Sequence, residues 1–166
     1  MPGVVKIVLE DDFVGVVANS YVEAENAKKK IKANWSTDKI WQSEDIEAMI
    51  RVGQGKPAVI QKKGKAKQLL ADGEEDVIVS EYYSPIGAHA QLEPNGAVAY
   101  VEDGKATVIL STQVIGLTRQ EVAKRVGLEE EQVIIQPTFL GGGFGRRLHT
   151  PNAMQAAVMS KAVGKP

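Results

Sequence analysis

The chain has 166 residues, of which 43% are hydrophobic and 25% charged, and its formal net charge is −1. Those proportions suit one ordinary globular domain or two small ones, and a near-neutral charge of mixed sign gives no footing for nucleic acid or an anionic membrane as principal partner. The absence of cysteine excludes disulfides, thiolate catalysis and an iron–sulfur cluster held by this chain.

Residues 4–9 and 13–18 read as two strands joined by the acidic turn Glu10-Asp11-Asp12. Ser20 with Glu23 has the form of a capping box, and Ala24, Ala27, Ile31 and Trp35 recur at helical spacing, which predicts a helix over 20–35. Ser43 is placed to cap a shorter helix through Arg51. Residues 53–64 are rich in Gly and Lys and read as a loop, with Ala58-Val59-Ile60 as a candidate strand inside it, and 66–71 reads as a helical turn. The lysine runs at 28–30 and 62–67 read as solvated surface, and Trp35 and Trp41 as core or interface residues. The acidic run 72–76 marks a change of character and is the expected domain boundary, giving domains over 1–75 and 76–166.

Past that boundary, 77–83 reads as a strand, and 97–101 and 105–110 as a hairpin around Glu102-Asp103-Gly104. Thr118 with Glu121 looks like a second capping box, with Val122, Ala123 and Val126 as the buried face and Gly127 as the stop. A short strand over 133–136 leads to a glycine cluster, and 152–163 reads as a helix with Met154, Ala157, Val158 and Ala162 on its apolar side. The fold class is α+β. No apolar run approaches the roughly 20 residues of a membrane span, and Met1-Pro2-Gly3-Val4 does not have the form of a signal peptide. Both ends read as cut from a longer protein: a strand begins at Val4, and Gly164-Lys165-Pro166 is a helix stop with nothing after it.

The glycine cluster Gly141-Gly142-Gly143-Phe144-Gly145, followed by Arg146-Arg147, is the strongest pointer to chemistry. Glycine is costly in chain entropy, and a strand, a glycine loop and a helix in that order can bring bare N–H groups against an anion or a bulky polar cofactor. A purely structural turn is the alternative. The cluster lacks the Lys-Ser/Thr ending of a P-loop and the spacing of the dinucleotide fingerprint. Arg146 and Arg147 either add charge-assisted bonds to phosphate or are surface arginines at a helix start. His89 and His149 stand far apart without metal-ligand spacing, so a zinc site is not expected and His89 reads as a structural histidine. Glu93, before Pro94, reads as a carboxylate that hydrogen-bonds backbone. Ser111 and Ser160 lack the companions of a hydrolase.

Three segments, in order and spacing, go beyond generic pattern: Glu81-Tyr82-Tyr83-Ser84-Pro85 running into Ala88-His89-Ala90-Gln91-Leu92-Glu93-Pro94; Leu110-Ser111-Thr112-Gln113; and Pro137-Thr138-Phe139-Leu140 running into the glycine cluster and its two arginines. Together they resemble the molybdenum-cofactor-binding large subunit of the xanthine dehydrogenase and aldehyde oxidase family. The Arg-Arg ending and the AHAxLEP form of the first segment look most like the β-subunits of isoquinoline 1-oxidoreductase type, a branch that includes membrane-associated aldehyde dehydrogenases. Residues 1–75 are similar to the second half of that family's α/β-hammerhead domain, and 76–166 to the start of its molybdopterin-binding domain, with 40–76 the least similar stretch.

The resemblance implies a bacterial parent that binds molybdopterin, in its cytosine dinucleotide form. That parent would hydroxylate an aldehyde or N-heterocycle with water as oxygen source, and pass electrons to a [2Fe–2S] small subunit and onward to a cytochrome c subunit. It would be cytoplasmic, or membrane-associated and periplasmic. Gly142, Gly143, Phe144, Gly145 and Arg146 match the cofactor-binding loop. Gly87 and Leu148 replace a glutamine and a glutamate of the xanthine-oxidising branch, which disfavours purines. The catalytic glutamate would fall beyond Pro166, so the chain alone is expected to be inactive, to hold no cofactor and to self-associate through uncovered apolar surface. Two competing readings are a non-catalytic α+β binding or assembly module, and an enzyme of another class binding a phosphate-containing ligand at 141–147.

Overall fold

A computed structural model describes residues 1–71 and 77–166. The acidic boundary expected at 72–76 lies outside the described residues. The chain divides into two compact units, Met1–Lys32 together with Gly87–Pro166, and Ala33–Ile86.

In the first unit, β1 (Val4–Leu9) and β2 (Val14–Ala18) form an antiparallel hairpin with Leu9 opposite Val14 and Val4 opposite Ala18. Helix α1 (Tyr21–Lys28) follows, and the predicted cap is present: the Glu23 N–H donates to the Ser20 hydroxyl at 3.3 Å, and that hydroxyl donates to the Glu23 carboxylate at 2.9 Å. The helix stops at Lys28 rather than at Trp35. Ala27 is its single buried residue, so no apolar burial supports continuation through the lysine run. Trp35 is exposed.

The centre of this unit is a three-stranded sheet in the order β3-β4-β5. β3 (Val98–Glu102) and β4 (Lys105–Leu110) make the predicted hairpin, closed by Asp103 and Gly104 at φ 51° and 71°. Two successive positive φ values form the tight turn whose twist matches the strands. Helix α4 (Ile115–Val126) then crosses over, and β5 (Val133–Pro137) returns parallel to β4, Ala106 opposite Val133 and Leu110 opposite Pro137. Helix α5 (Pro151–Val163) completes the unit, with Pro151 in the first turn where its missing N–H costs nothing. One sheet face, from Ala99, Val101, Ala106, Val108, Leu110, Val133 and Ile135, buries against Val122, Ala123 and Val126 of α4 and Ala153 and Ala157 of α5. Small residues on α5 let its backbone approach the strands. Asp12, in the turn between β1 and β2, takes an ion pair from Arg125 of α4, and Lys6 donates to the Ala162 carbonyl of α5 at 2.7 Å.

Thr118 is not a cap. Helix α4 begins three residues earlier, and Thr118 is a buried interior residue whose hydroxyl donates to the Val114 carbonyl at 2.8 Å. A helical hydroxyl satisfies itself by bonding four residues back, so the Thr-x-x-Glu spacing was uninformative here. Gly127 does end the helix, at φ 69°.

The second unit holds α2 (Ser43–Ile50) and α3 (Ala66–Ala71), and no strand among the described residues. Helix α2 is capped by Gln42, whose N–H donates to Asp45 at 3.0 Å, and Ser43 is already helical. Trp41 is also exposed, with Lys39 Nζ 3.9 Å from its ring centroid. Residues 58–60 and 77–83, both expected as strands, are irregular and exposed. Apolar content alone does not make a strand without a neighbour to accept its ladder hydrogen bonds.

Candidate functional site

β4 and β5 are parallel, so their carboxyl ends lie at the same edge of the sheet. β4 delivers Ser111, Thr112 and Gln113 there, and β5 delivers the glycine loop. The Thr138 N–H donates to the Leu110 carbonyl at 2.9 Å, carrying the pairing past the last regular residue. Crevices outside the carboxyl ends of parallel strands are where such sheets bind ligands.

The loop has an inner side made of carbonyls. The Gly141 carbonyl accepts the Glu93 N–H at 3.1 Å, the Gly142 carbonyl accepts Arg147 Nε at 2.8 Å, and the Gly143 carbonyl accepts the Arg146 N–H at 2.8 Å. In a planar trans peptide the N–H points opposite to the C=O. Three inward carbonyls therefore turn the N–H groups of Gly142, Gly143 and Phe144 the other way, and among the described residues these find no acceptor. Gly142, Phe144 and Gly145 sit at φ 100°, 50° and 92°. A phenylalanine in the left-handed region costs about 1 kcal/mol, and such strain collects at ligand sites. The Phe144 side chain is 75% exposed.

Glycine is needed at Gly141 for room, and at Gly143 a side chain would have to displace the Gln113 amide. A Cβ on Gly141 would lie 2.4 Å from the Glu93 Cβ, and one on Gly143 would lie 2.7 Å from Gln113 Oε1. Gln113 Oε1 also accepts the Gly145 N–H at 3.2 Å. His89 stands beside the loop, with Nε2 3.9 Å from the Cβ that Gly145 lacks.

The two arginines part company. Arg146 is exposed on the loop. Arg147 is 2% exposed, so neither the surface reading nor the phosphate reading holds for it. Its Nη2 donates to the Glu93 carboxylate at 2.8 Å and to the Glu93 carbonyl at 2.9 Å, and its Nη1 donates to the Ser111 hydroxyl and carbonyl. Glu93 bonds backbone as expected, accepting the Gly141 N–H at 2.7 Å. That bond is the largest influence holding the Glu93 carboxyl below its ordinary pKa; partial desolvation opposes it, and the Ser111 hydroxyl and the Arg147 guanidinium reinforce it.

Arg147, Ser111 and Gln113 are the residues whose roles the sequence did not reveal. The one signal was position, since each lies in one of the three segments that carry the resemblance. His149 is exposed, and no group of three or more His, Cys, Asp or Glu able to hold a metal occurs among the described residues. A hollow of about 690 Å³ is lined by residues such as Val17, Ala24, Ala99 and Met159, and none of the loop residues borders it.

The profile of the molybdopterin cofactor-binding domain matches residues 52–166. The chain is 31% identical to the membrane-bound aldehyde dehydrogenase [pyrroloquinoline-quinone] of Gluconacetobacter polyoxogenes, over 98% of this chain and 22% of that protein. It is 29% identical to a nicotinate dehydrogenase subunit of Pseudomonas putida, over 100% of this chain and 14% of that protein. It is 33% identical to the aldehyde oxidoreductase molybdenum-binding subunit PaoC of Escherichia coli, over 54% of this chain and 12% of that protein. The chain thus spans less than a quarter of the length of these relatives. The matched profile runs through the loop and both strands that deliver it, and the chain belongs to the molybdopterin cofactor-binding domains of the xanthine dehydrogenase and aldehyde oxidoreductase family.

Proposed function

We infer that this chain supplies one wall of a molybdopterin site in a molybdenum hydroxylase large subunit. The observation that carries the reading is the set of N–H groups at Gly142, Gly143 and Phe144, turned away from their internally bonded carbonyls and without internal acceptors among the described residues, that of Gly143 within a buried residue. Preorganised backbone donors of this kind stabilise charge on bound oxygens without reorganising. They fit an anionic, oxygen-rich cofactor, and the glycines leave no side chain in its way. When bound, the cofactor supplies the two-electron redox centre.

Within that reading, Gly142, Gly143 and Gly145 present backbone, Phe144 walls the substrate side and Arg146 offers charge to the cofactor's phosphate. The cytosine dinucleotide form is the one proposed. The substrate would be an aldehyde or an N-heterocycle, with oxygen from water and electrons passed to an iron–sulfur partner. Leu148 presents no carboxylate where a purine would need one. Residues up to the acidic run are read as the end of a hammerhead domain and the remainder as the start of the cofactor domain, while the family profile already begins at residue 52.

Metal and pterin analysis of the full-length protein, expressed in a molybdenum-competent host, is the test. Stoichiometric molybdenum with a releasable pterin is expected, and protein free of both overturns the reading. The 166-residue chain alone is expected to hold none.

A further inference from the structure

The guanidinium of Arg147 makes all its bonds inside the protein, and each arm has its own target. Nε reaches the Gly142 carbonyl, Nη2 reaches Glu93, and Nη1 reaches Ser111. Five donors in one rigid plane mean that fixing two arms fixes the third. Glu93 doubles the connection to the loop. The same Oε2 that takes Arg147 accepts the Gly141 N–H, and the Glu93 N–H donates to the Gly141 carbonyl. The peptide plane before Gly142 is therefore held by the Glu93 main chain and the one after it by the Arg147 guanidinium, and the ion pair ties these two residues together.

We propose that Glu93 and Arg147 are positioning residues. They latch the 141–142 and 142–143 peptide planes with carbonyls inward, which is what turns the Gly142 and Gly143 N–H groups to the opposite side. Ser111 braces the latch by donating its hydroxyl hydrogen to the Glu93 carboxylate at 3.2 Å. The purpose of the N–H groups so turned rests on the cofactor reading; the latch itself does not.

Amide hydrogen exchange on the 166-residue chain separates a latch from general stabilisation. In Glu93→Gln and Arg147→Met, the internally bonded N–H groups of Gly141 and Arg146 are expected to exchange about tenfold faster or more, while Val108 in β4 and Val122 in α4 keep their wild-type rates. Unchanged exchange at Gly141 and Arg146 overturns the proposal. So does an increase matched in β4 and α4, which would mean the pair only stabilises the whole unit. If Arg147→Met does not fold, Glu93→Gln decides alone, since it removes one charge and keeps the side-chain volume. A full-length protein without molybdenum would sink the cofactor reading and leave this result standing, because the exchange is read without cofactor.

Discussion

Ser160 closes the free edge of β3 by accepting the Val101 N–H at 2.9 Å. Its hydroxyl hydrogen goes to the Lys165 carbonyl at 2.7 Å, so a single side chain joins an edge strand, a helix and the segment after it. Ser160→Ala leaves a buried N–H without an acceptor, at an expected cost of about 1–3 kcal/mol. Equilibrium urea unfolding reads this as a lower midpoint with unchanged slope.

Thr118 is the centre of a buried hydroxyl chain, 3.1 Å from the Thr112 hydroxyl and 3.2 Å from the Thr150 hydroxyl. Thr118→Val keeps the shape and removes the link, and should cost about 1–3 kcal/mol. Thr118→Asn is the sharper comparison. A helix cap accepts Asn without loss, whereas a buried site has no room for the amide, so unfolding at a wild-type midpoint would restore the capping reading.

Gly141→Ala and Gly145→Ala probe different costs. The first places a methyl against the Glu93 Cβ without needing a positive φ, while the second has room for its methyl but must hold φ 92°. Each should destabilise the chain by about 1–3 kcal/mol. Only Gly141→Ala should displace Glu93, so chemical shifts of Ser111 and Glu93 should move in that variant and stay in place in Gly145→Ala.

The lowered Glu93 pKa sets a direction for acid stability. A carboxyl depressed in the folded state contributes stability that is full above its unfolded pKa and lost as pH falls through its folded pKa. Glu93→Gln lacks that contribution at every pH. The stability gap between wild type and Glu93→Gln should therefore be widest near neutrality and narrow through the acidic range; a gap constant with pH would refute the assignment.

The sequence was most legible where local signals agreed with burial. The Asp103-Gly104 turn lay between two alternating strands, and Gly127 followed an apolar face that does pack, so both elements stand where periodicity puts them. It misled where a local signal stood alone. Helical spacing through Trp35 had no core to meet, and the apolar runs at 58–60 and 77–83 find no pairing strand among the described residues. At the site, the glycines announced a backbone-lined loop, but nothing in Arg146-Arg147 distinguished an exposed arginine from a buried one. That difference comes from Glu93 and Ser111, which only the fold brings beneath the loop.

The loop has one face set by the protein and another left open. Gly141, Gly143 and Arg147 answer to neighbours inside the fold, while Phe144 and Arg146 project from it. Substitutions on the first set are paid in architecture. Those on the second alter what the loop offers a ligand at little cost to the scaffold, so side-chain variety at Phe144 and Arg146 is a route by which one frame could serve different small molecules.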